Sequence, residues 1–204
     1  MTTVGIEPAA VVLDALAAPL DAGLDAAVGP GAAQRLRREL RAATRRWAAS
    51  VAPGSAFEAT SGAAAVLALD GHEGPVVLVS PDVPALSEIH AQATLADLLD
   101  GIGVVVGSGH DARPFLVGLA HADPELIELA TGPFEPLFGA ALERGLTLSM
   151  IRHERRLVSA GDARALALDP LAPPGLIAEL GWLRPGAPHG RGPQGKESPA
   201  RSGK

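Results

Sequence analysis

The chain has 204 residues, 47% of them hydrophobic but only 3% aromatic, so one aliphatic core and one domain are the default. It holds no Cys and no Tyr, and both lysines, Lys196 and Lys204, lie in the last ten positions. That excludes disulfides, thiolate metal sites and cysteine nucleophiles, and leaves the folded part no lysine for a P-loop or a Schiff base. The net charge is −6; residues 185–204 carry +3 and leave −9 on the rest, which is not a nucleic-acid footprint. No apolar run approaches the roughly 20 residues of a membrane span, and no charged segment precedes an apolar stretch at the N-terminus. A soluble cytoplasmic protein is expected, folded over residues 1–184, with a disordered basic tail over 185–204.

Ala9 to Leu13 reads as a first strand, followed by a loop from Asp14 through Gly23. Gly29-Pro30-Gly31 opens a long helix in which Ala33, Leu36, Leu40, Ala43 and Trp47 recur on one face. Arg35, Arg37, Arg38, Arg41, Arg45 and Arg46 occupy its other faces. They read as solvated surface, the alternative being a phosphate-facing patch. Ala52-Pro53-Gly54-Ser55 breaks the helix, and Ala64 to Leu69 is read as a second strand. Asp70, His72 and Glu73 fall in one turn and read as solvated rather than as metal ligands. Val76 to Val79, between Gly74-Pro75 and Pro81-Asp82, is a fully buried parallel strand by its β-branched run.

Leu86 to Leu99 reads as a helix with Ser87 as N-cap and a buried face of Ile89, Ala93, Ala96 and Leu99, flanked by Leu95 and Leu98. Val104 to Val106 is the next strand. Phe115 to Leu119 follows it too closely for a helical crossover and reads as an antiparallel insertion. Asp123-Pro124 caps a short helix through Ala130, and Leu137 to Arg144 forms another, stopped by Gly145. Leu146 to Ile151 is the last clear strand. A weak helix follows from Gly161 through Leu168, then a short one packing through Leu176, Ile177, Leu180 and Trp182. Alternating strands and helices imply a three-layer α/β/α sandwich on a mostly parallel sheet.

In such sheets ligands bind beyond the carboxyl ends of the strands. Asp82 and Asp111 stand at two such ends. A pair of carboxylates there can hold Mg²⁺ or Mn²⁺, which prefer oxygen ligands shared with substrate phosphates. His110 and Arg113 flank Asp111 and offer a proton donor and a phosphate contact. The ordinary alternative for either acid is a turn carboxylate accepting backbone N–H bonds. There is no Gly-Xaa-Gly-Xaa-Xaa-Gly after the first strand and no Gly-Xaa-Ser-Xaa-Gly. His153-Glu154 lacks a second His four positions on, and Ser80 and Ser159 have no evident base.

The order of motifs resembles a bacterial family of small glycosyltransferase-A-like proteins, often labelled arsenosugar-type glycosyltransferases. The resemblance spans roughly residues 10–168. Val76 to Leu86 is similar to the family's apolar strand followed by Asp-Xaa-Pro-Xaa-Leu. Val105 to Leu119 is similar to its strand, Gly-Pro, Asp-Gly-Gly-Tyr-Tyr and Leu-Ile-Gly-Leu segment; Asp111 keeps the acid, while Ala112, Arg113 and Pro114 replace Gly-Gly-Tyr. Pro133-Phe134 and the helix ending in Arg144-Gly145-Leu146 resemble its Pro-Trp loop and Leu-Gly-Leu turn. Two motifs depart from the pattern. The first loop, Leu13 to Leu24, lacks the family's Lys-Xaa-Pro-Xaa-Pro-Gly and Lys-Thr-Arg-Leu and has no cation at all. Near the C-terminus the family has Asp-Xaa-Asp-Thr-Pro-Xaa-Asp-Leu; here Arg156 to Ala163 keeps only the final acid, Asp162.

The resemblance implies a nucleotide-diphospho-sugar transferase (GT-A)-like fold and a glycosyltransferase-like protein. Asp82 and Asp111 would be its catalytic and metal residues, with Mg²⁺ or Mn²⁺, and Ser80, Pro84, His110 and Arg113 its substrate contacts. The partner would be a nucleotide-sugar or nucleotide, not nucleic acid or membrane. Loss of the loop cations favours one alternative, a catalytically inactive binding or partner module; a second alternative is a nucleotidyltransferase of the phospholactate guanylyltransferase type, which would also need basic residues for its triphosphate.

Overall fold

A computed structural model of the chain describes residues 7–19 and 22–180. The strands are β1 (Ala9–Leu13), β2 (Ala56–Ala59), β3 (Val76–Val79), β4 (Val104–Gly109), β5 (Pro114–Leu119) and β6 (Leu148–Glu154). They form one sheet in the order β2-β1-β3-β5-β4-β6. β1 lies parallel to β2 and β3, and β4 parallel to β6, whereas β5 runs antiparallel to both β3 and β4. Only residues 110–113 join β4 to β5, too few for a crossover helix, so the chain returns as a hairpin and β5 enters inverted. The carboxyl ends of the five other strands therefore share one edge.

The helices are α1 (Ala22–Val28), α2 (Pro30–Val51), α3 (Gly62–Ala68), α4 (Glu88–Leu99), α5 (Pro124–Ala130), α6 (Phe134–Glu143), α7 (Ala160–Leu168) and α8 (Pro174–Leu180). The period of two along each strand decides which layer each residue meets. Ala9, Val11, Leu13, Val76 and Leu78 face Ala65 of α3, Leu126 and Ile127 of α5 and Leu137 of α6. Ala10, Val12, Val77, Val79 and Phe115 face Trp47 and Ala48 of α2 and Ala91 of α4. Every residue of β1 and β3 is buried, and each valine or leucine so placed contributes about 1.5–3 kcal/mol over its exposed state. A further cluster joins α1, α2, α7 and α8 through Leu24, Leu36, Leu166 and Leu176. No helix among the described residues is long and apolar enough to cross a membrane.

Four local expectations are corrected. Residues 64–69 are not a strand but most of α3: the Ser61 hydroxyl accepts the Ala64 N–H at 3.2 Å, and the alanine-rich segment takes the helix that this cap begins. The strand beside β1 is instead β2, an edge strand in which only Ala59 is buried, so it lacks an apolar run to read. Residues 22–28, expected within a loop and its exit, form α1, which packs Leu24 and Val28 beneath α2. The buried face of α4 is also turned. Ile89 and Leu99 are 61% and 80% exposed, while His90, Ala91, Thr94 and Leu98 face inward.

Two features fix that turn of α4. Gly118 in β5 leaves room for Thr94, whose methyl lies 2.5 Å from where a Cβ would stand. His90 finds partners for both ring nitrogens, accepting the Ser87 N–H at Nδ1 and meeting Glu154 Oε1 at 3.1 Å through Nε2. A satisfied imidazole can be buried where a bare one could not. The hairpin, the Asp123 cap on α5 and the stop at Gly145 (φ 69°) are as read from the sequence. Trp182 and residues 185–204 lie outside the described residues.

Candidate functional site

β3 ends at Val79, and Ser80-Pro81-Asp82 turns across the carboxyl edge of the sheet. The turn is tied from both sides. Ser80 N–H donates to the Phe115 carbonyl at 2.8 Å, and the Leu157 N–H donates to the Asp82 carbonyl at 2.9 Å. Asp82 is only 7% exposed, and its carboxylate is fully engaged. Oδ1 accepts the Ser80 hydroxyl at 2.6 Å and Arg156 Nη1 at 3.3 Å. Oδ2 accepts the Ala18 N–H at 2.9 Å and Arg156 Nη1 at 3.1 Å. Three donors thus share the two oxygens, the Ser80 hydroxyl, the Ala18 N–H and an Arg156 Nη1 that bridges both.

Arg156, just past β6, is the hub. It is 4% exposed. Besides Asp82, Nη1 donates to the Leu16 carbonyl at 2.8 Å, and Nη2 donates to the carbonyls of Pro114 and Arg113. Its Nε makes no hydrogen bond but lies 3.6 Å from Asp111 Oδ1. One guanidinium thus sits between the two acids and closes the ends of β1, β3 and β5 together. Its planar fork of donors suits this role, which a lysine could not fill. Gly109 is required beside it, since a Cβ there would come within 2.9 Å of Arg156 Nε and 2.5 Å of Asp111 Oδ1.

Asp111 is different. It lies on the β4–β5 hairpin, with a side chain 36% exposed, and accepts only the Arg113 N–H at 3.3 Å besides its ion pair. The next residue, Ala112, has φ 59°, a left-handed backbone that glycine takes without strain. Asp111 and His110 line a cleft of about 240 Å³ with Arg155, Arg156, Val158 and Asp162. On the other side of the hairpin His110 borders a wider cleft of about 420 Å³ that includes Ser108, Phe134, Met150 and His153.

Of the expected site residues, Ser80, Asp82 and Asp111 come together around Arg156, and His110 joins Asp111 at the cleft. Pro84 lines a recess of about 110 Å³ that shares Arg155, Arg156 and Asp162 with the His110–Asp111 cleft. Arg113 turns its guanidinium to the Thr131 carbonyl at 3.1 Å, at the end of α5. His72, from the acidic turn, meets the Pro75 carbonyl. Asp162 caps α7, accepting Ser159 N–H and hydroxyl at 2.9 and 2.7 Å and Arg155 Nη1 at 3.1 Å. Burial pushes its carboxyl up, but the bonds from Ser159, Arg155 and Val158 outweigh this and hold it below the usual carboxylate range.

Sequence reasoning missed three features. Arg156 was legible only as a departure, since it stands where the resembled motif begins with Asp. Ser108 Oγ lies 2.6 Å from His153 Nδ1, a pair 45 residues apart that no local pattern announces. The arginines of α2 lie on its exposed and half-exposed faces, as expected, but several have acidic partners that the sequence does not announce: Arg37 pairs with Asp25 at 2.5 Å, Arg41 with Asp14 and Glu58, and Arg45 with Glu58. Arg37 and Arg41 also line a cleft of about 190 Å³ together with Asp14, Ala17, Ala18, Pro81, Asp82 and Leu157.

A divalent cation shared by Asp82 and Asp111 does not fit this arrangement. Both oxygens of Asp82 already accept hydrogen bonds, and the Arg156 guanidinium stands between the acids. Among the described residues no group of three or more His, Asp or Glu side chains is placed to hold a metal ion.

No protein-family model matches the chain, and neither does any curated protein. Among solved structures it is similar to a protein of Desulfovibrio desulfuricans G20, provisionally named a nucleotide-diphospho-sugar transferase. The TM-score is 0.61 at 16% identity, over 86% of this chain and 95% of that one. Rv0371c of Mycobacterium tuberculosis H37Rv is more distant, with a TM-score of 0.42 at 12% identity over 80% of this chain and 98% of that one. Its manganese complex gives 0.38 at 14% identity over 78% and 96%; both scores are too low to carry an argument. The first likeness shows the fold: a mixed α/β architecture of the nucleotide-diphospho-sugar transferase type.

Proposed function

We propose that the chain binds a nucleotide-diphospho-sugar at the carboxyl edge of its sheet, in the manner of a small glycosyltransferase. The observation that carries this reading is the cleft lined by Arg37, Arg41, Asp14, Ala17, Ala18 and Asp82, where a diphosphate would take the place of the arginines' present partners, Asp25 for Arg37 and Asp14 and Glu58 for Arg41. A diphosphate needs cationic donors as it binds and as it leaves. The first loop supplies none, and two arginines reaching in from α2 support their replacement. Asp111 and His110, on the exposed side of Arg156, border the space left for the sugar and acceptor. Asp111 is the candidate catalytic acid or base. Asp82, with Ser80, holds the floor of the site.

Calorimetric titration with UDP-, GDP- and TDP-sugars and the free nucleotides tests this. One nucleotide class is expected to bind. The double variant Arg37→Gln/Arg41→Gln is expected to weaken it by about tenfold or more, the weight of charge-assisted bonds to phosphate. Asp111→Asn is expected to leave the melting temperature in place and abolish turnover. A cooperatively melting protein that binds none of these ligands overturns the reading. A second reading, a catalytically silent binding module, is favoured by Arg156 standing at the first acid of the resembled motif; a nucleotide-sugar that binds yet stays intact with every acceptor class would support it.

A further inference from the structure

We infer that Arg156 is the resident cation of this site, a guanidinium built into the chain where a divalent ion would otherwise join Asp82 and Asp111, so that ligand binding there is independent of metal. For the nucleotide this rests on the proposed function; for the cation it stands on the geometry alone.

Three observations carry it. The guanidinium is buried between the two carboxylates, 3.1 Å from Asp82 Oδ2 and 3.6 Å from Asp111 Oδ1. Both oxygens of Asp82 are engaged by Ala18, Ser80 and Arg156, so a metal there would compete with an ion pair already made in a region of low dielectric. Nor is the guanidinium free to leave. The carbonyls of Leu16, Arg113 and Pro114 hold it from the far side and would lose their donor. Relative to the acid at that position of the resembled motif, the guanidinium raises the local charge by two units, as much as a divalent ion would add.

The test uses Mn²⁺ alone as probe, because its free ion gives an electron paramagnetic resonance signal that binding removes. Wild type is expected to leave that signal unchanged up to millimolar protein. Arg156→Asp, which restores the motif's acid beside Asp82 and Asp111, is expected to bind Mn²⁺ at least about tenfold more tightly. If that variant fails to fold, the wild-type titration still decides. Mn²⁺ bound by wild type, and lost in Asp111→Asn, overturns the inference. A second arm titrates UDP- and GDP-sugars in EDTA and in Mn²⁺. Equal affinity in both supports metal independence, and affinity present only with Mn²⁺ overturns it. Failure of every nucleotide to bind counts against the proposed function, while the Mn²⁺ titration alone continues to decide the place of Arg156.

Discussion

Asp82, after β3, and Asp111, on the β4–β5 hairpin, are the same residue type at one edge of the sheet, yet they occupy opposite physical situations. Asp82 is held by three segments far apart in sequence, through Ala18, Ser80 and Arg156, and both its oxygens are engaged. Asp111 sits on a four-residue hairpin loop and takes one local hydrogen bond, with its outer face open to the cleft. The difference separates two tasks. An engaged, buried carboxylate stabilises the fold and sets the position of its partners, and it has little left with which to react. An exposed carboxylate next to a fixed cation keeps its valence for a ligand. The chemistry is therefore expected to follow Asp111, and the stability Asp82.

The largest effect that would break this contrast is on stability. Arg156→Met is expected to cost about 3–5 kcal/mol, because it leaves the Asp82 carboxylate buried without its counter-charge. Asp111→Asn is expected to change stability by no more than about 0.5 kcal/mol. Guanidinium denaturation of the two variants makes the comparison directly; equal shifts would erase it. The double variant Asp82→Leu/Arg156→Met removes both charges and is expected to recover part of the loss. The Ala18 N–H and the Ser80 hydroxyl would still lack their acceptor, so recovery would be incomplete.

What the sequence made legible follows the same division. The buried strands β1, β3 and β4, the inverted β5 and the caps at Asp123 and Ser87 depend on local pattern and turn chemistry. They were readable from Val76–Val79, from the short span before Phe115 and from Asp123-Pro124. Helix α3 was read as a strand because Val66 and Leu67 make its alanine run look like a short apolar strand and the deciding Ser61 cap is a single atom pair, while β2, with one buried residue, offered no run to read. The turn of α4 was hidden because His90 and Thr94 are polar and their acceptance inside depends on Glu154 and Gly118, elements away in the chain. Arg156 shows the limit most sharply. A local motif comparison registers it as an absence, and only the fold reveals that it reaches Leu16, Asp82, Pro114 and Asp111 at once.

A medium effect sharpens the contrast from a third acid. Asp162, like Asp82, is an engaged carboxylate, but its partners are local and it caps α7. Asp162→Ala is expected to cost about 1 kcal/mol at neutral pH. Because its folded carboxyl titrates below the usual range, its contribution is fully present above the unfolded pKa of about 3.9. It is lost as pH falls below that value through the folded pKa. The stability difference between wild type and Asp162→Ala is therefore expected to be constant from about pH 5 to 8 and to shrink below about pH 4. A difference that instead grows on acidification would mean the carboxyl is raised, not lowered.

The smallest effect lies in the hairpin that presents Asp111. Ala112 carries a left-handed backbone at φ 59°, where an L side chain costs about 1–2 kcal/mol. Ala112→Gly removes that strain but adds about 0.4–1 kcal/mol of chain entropy to the unfolded state. The net expectation is a protein unchanged or up to about 1.6 kcal/mol more stable, a rise of at most about 3–6 °C in melting temperature. Ala112→Val, β-branched at the same φ, is expected to lower it. The informative reading is the pairing of stability with ligand affinity. If Asp111 works because the hairpin holds it against Arg156, Ala112→Gly will weaken nucleotide-sugar binding while the protein melts no earlier. Equal affinity in the glycine variant would mean that Gly109 and the Arg113 N–H suffice to place the carboxylate, and that the strain at Ala112 has no bearing on binding.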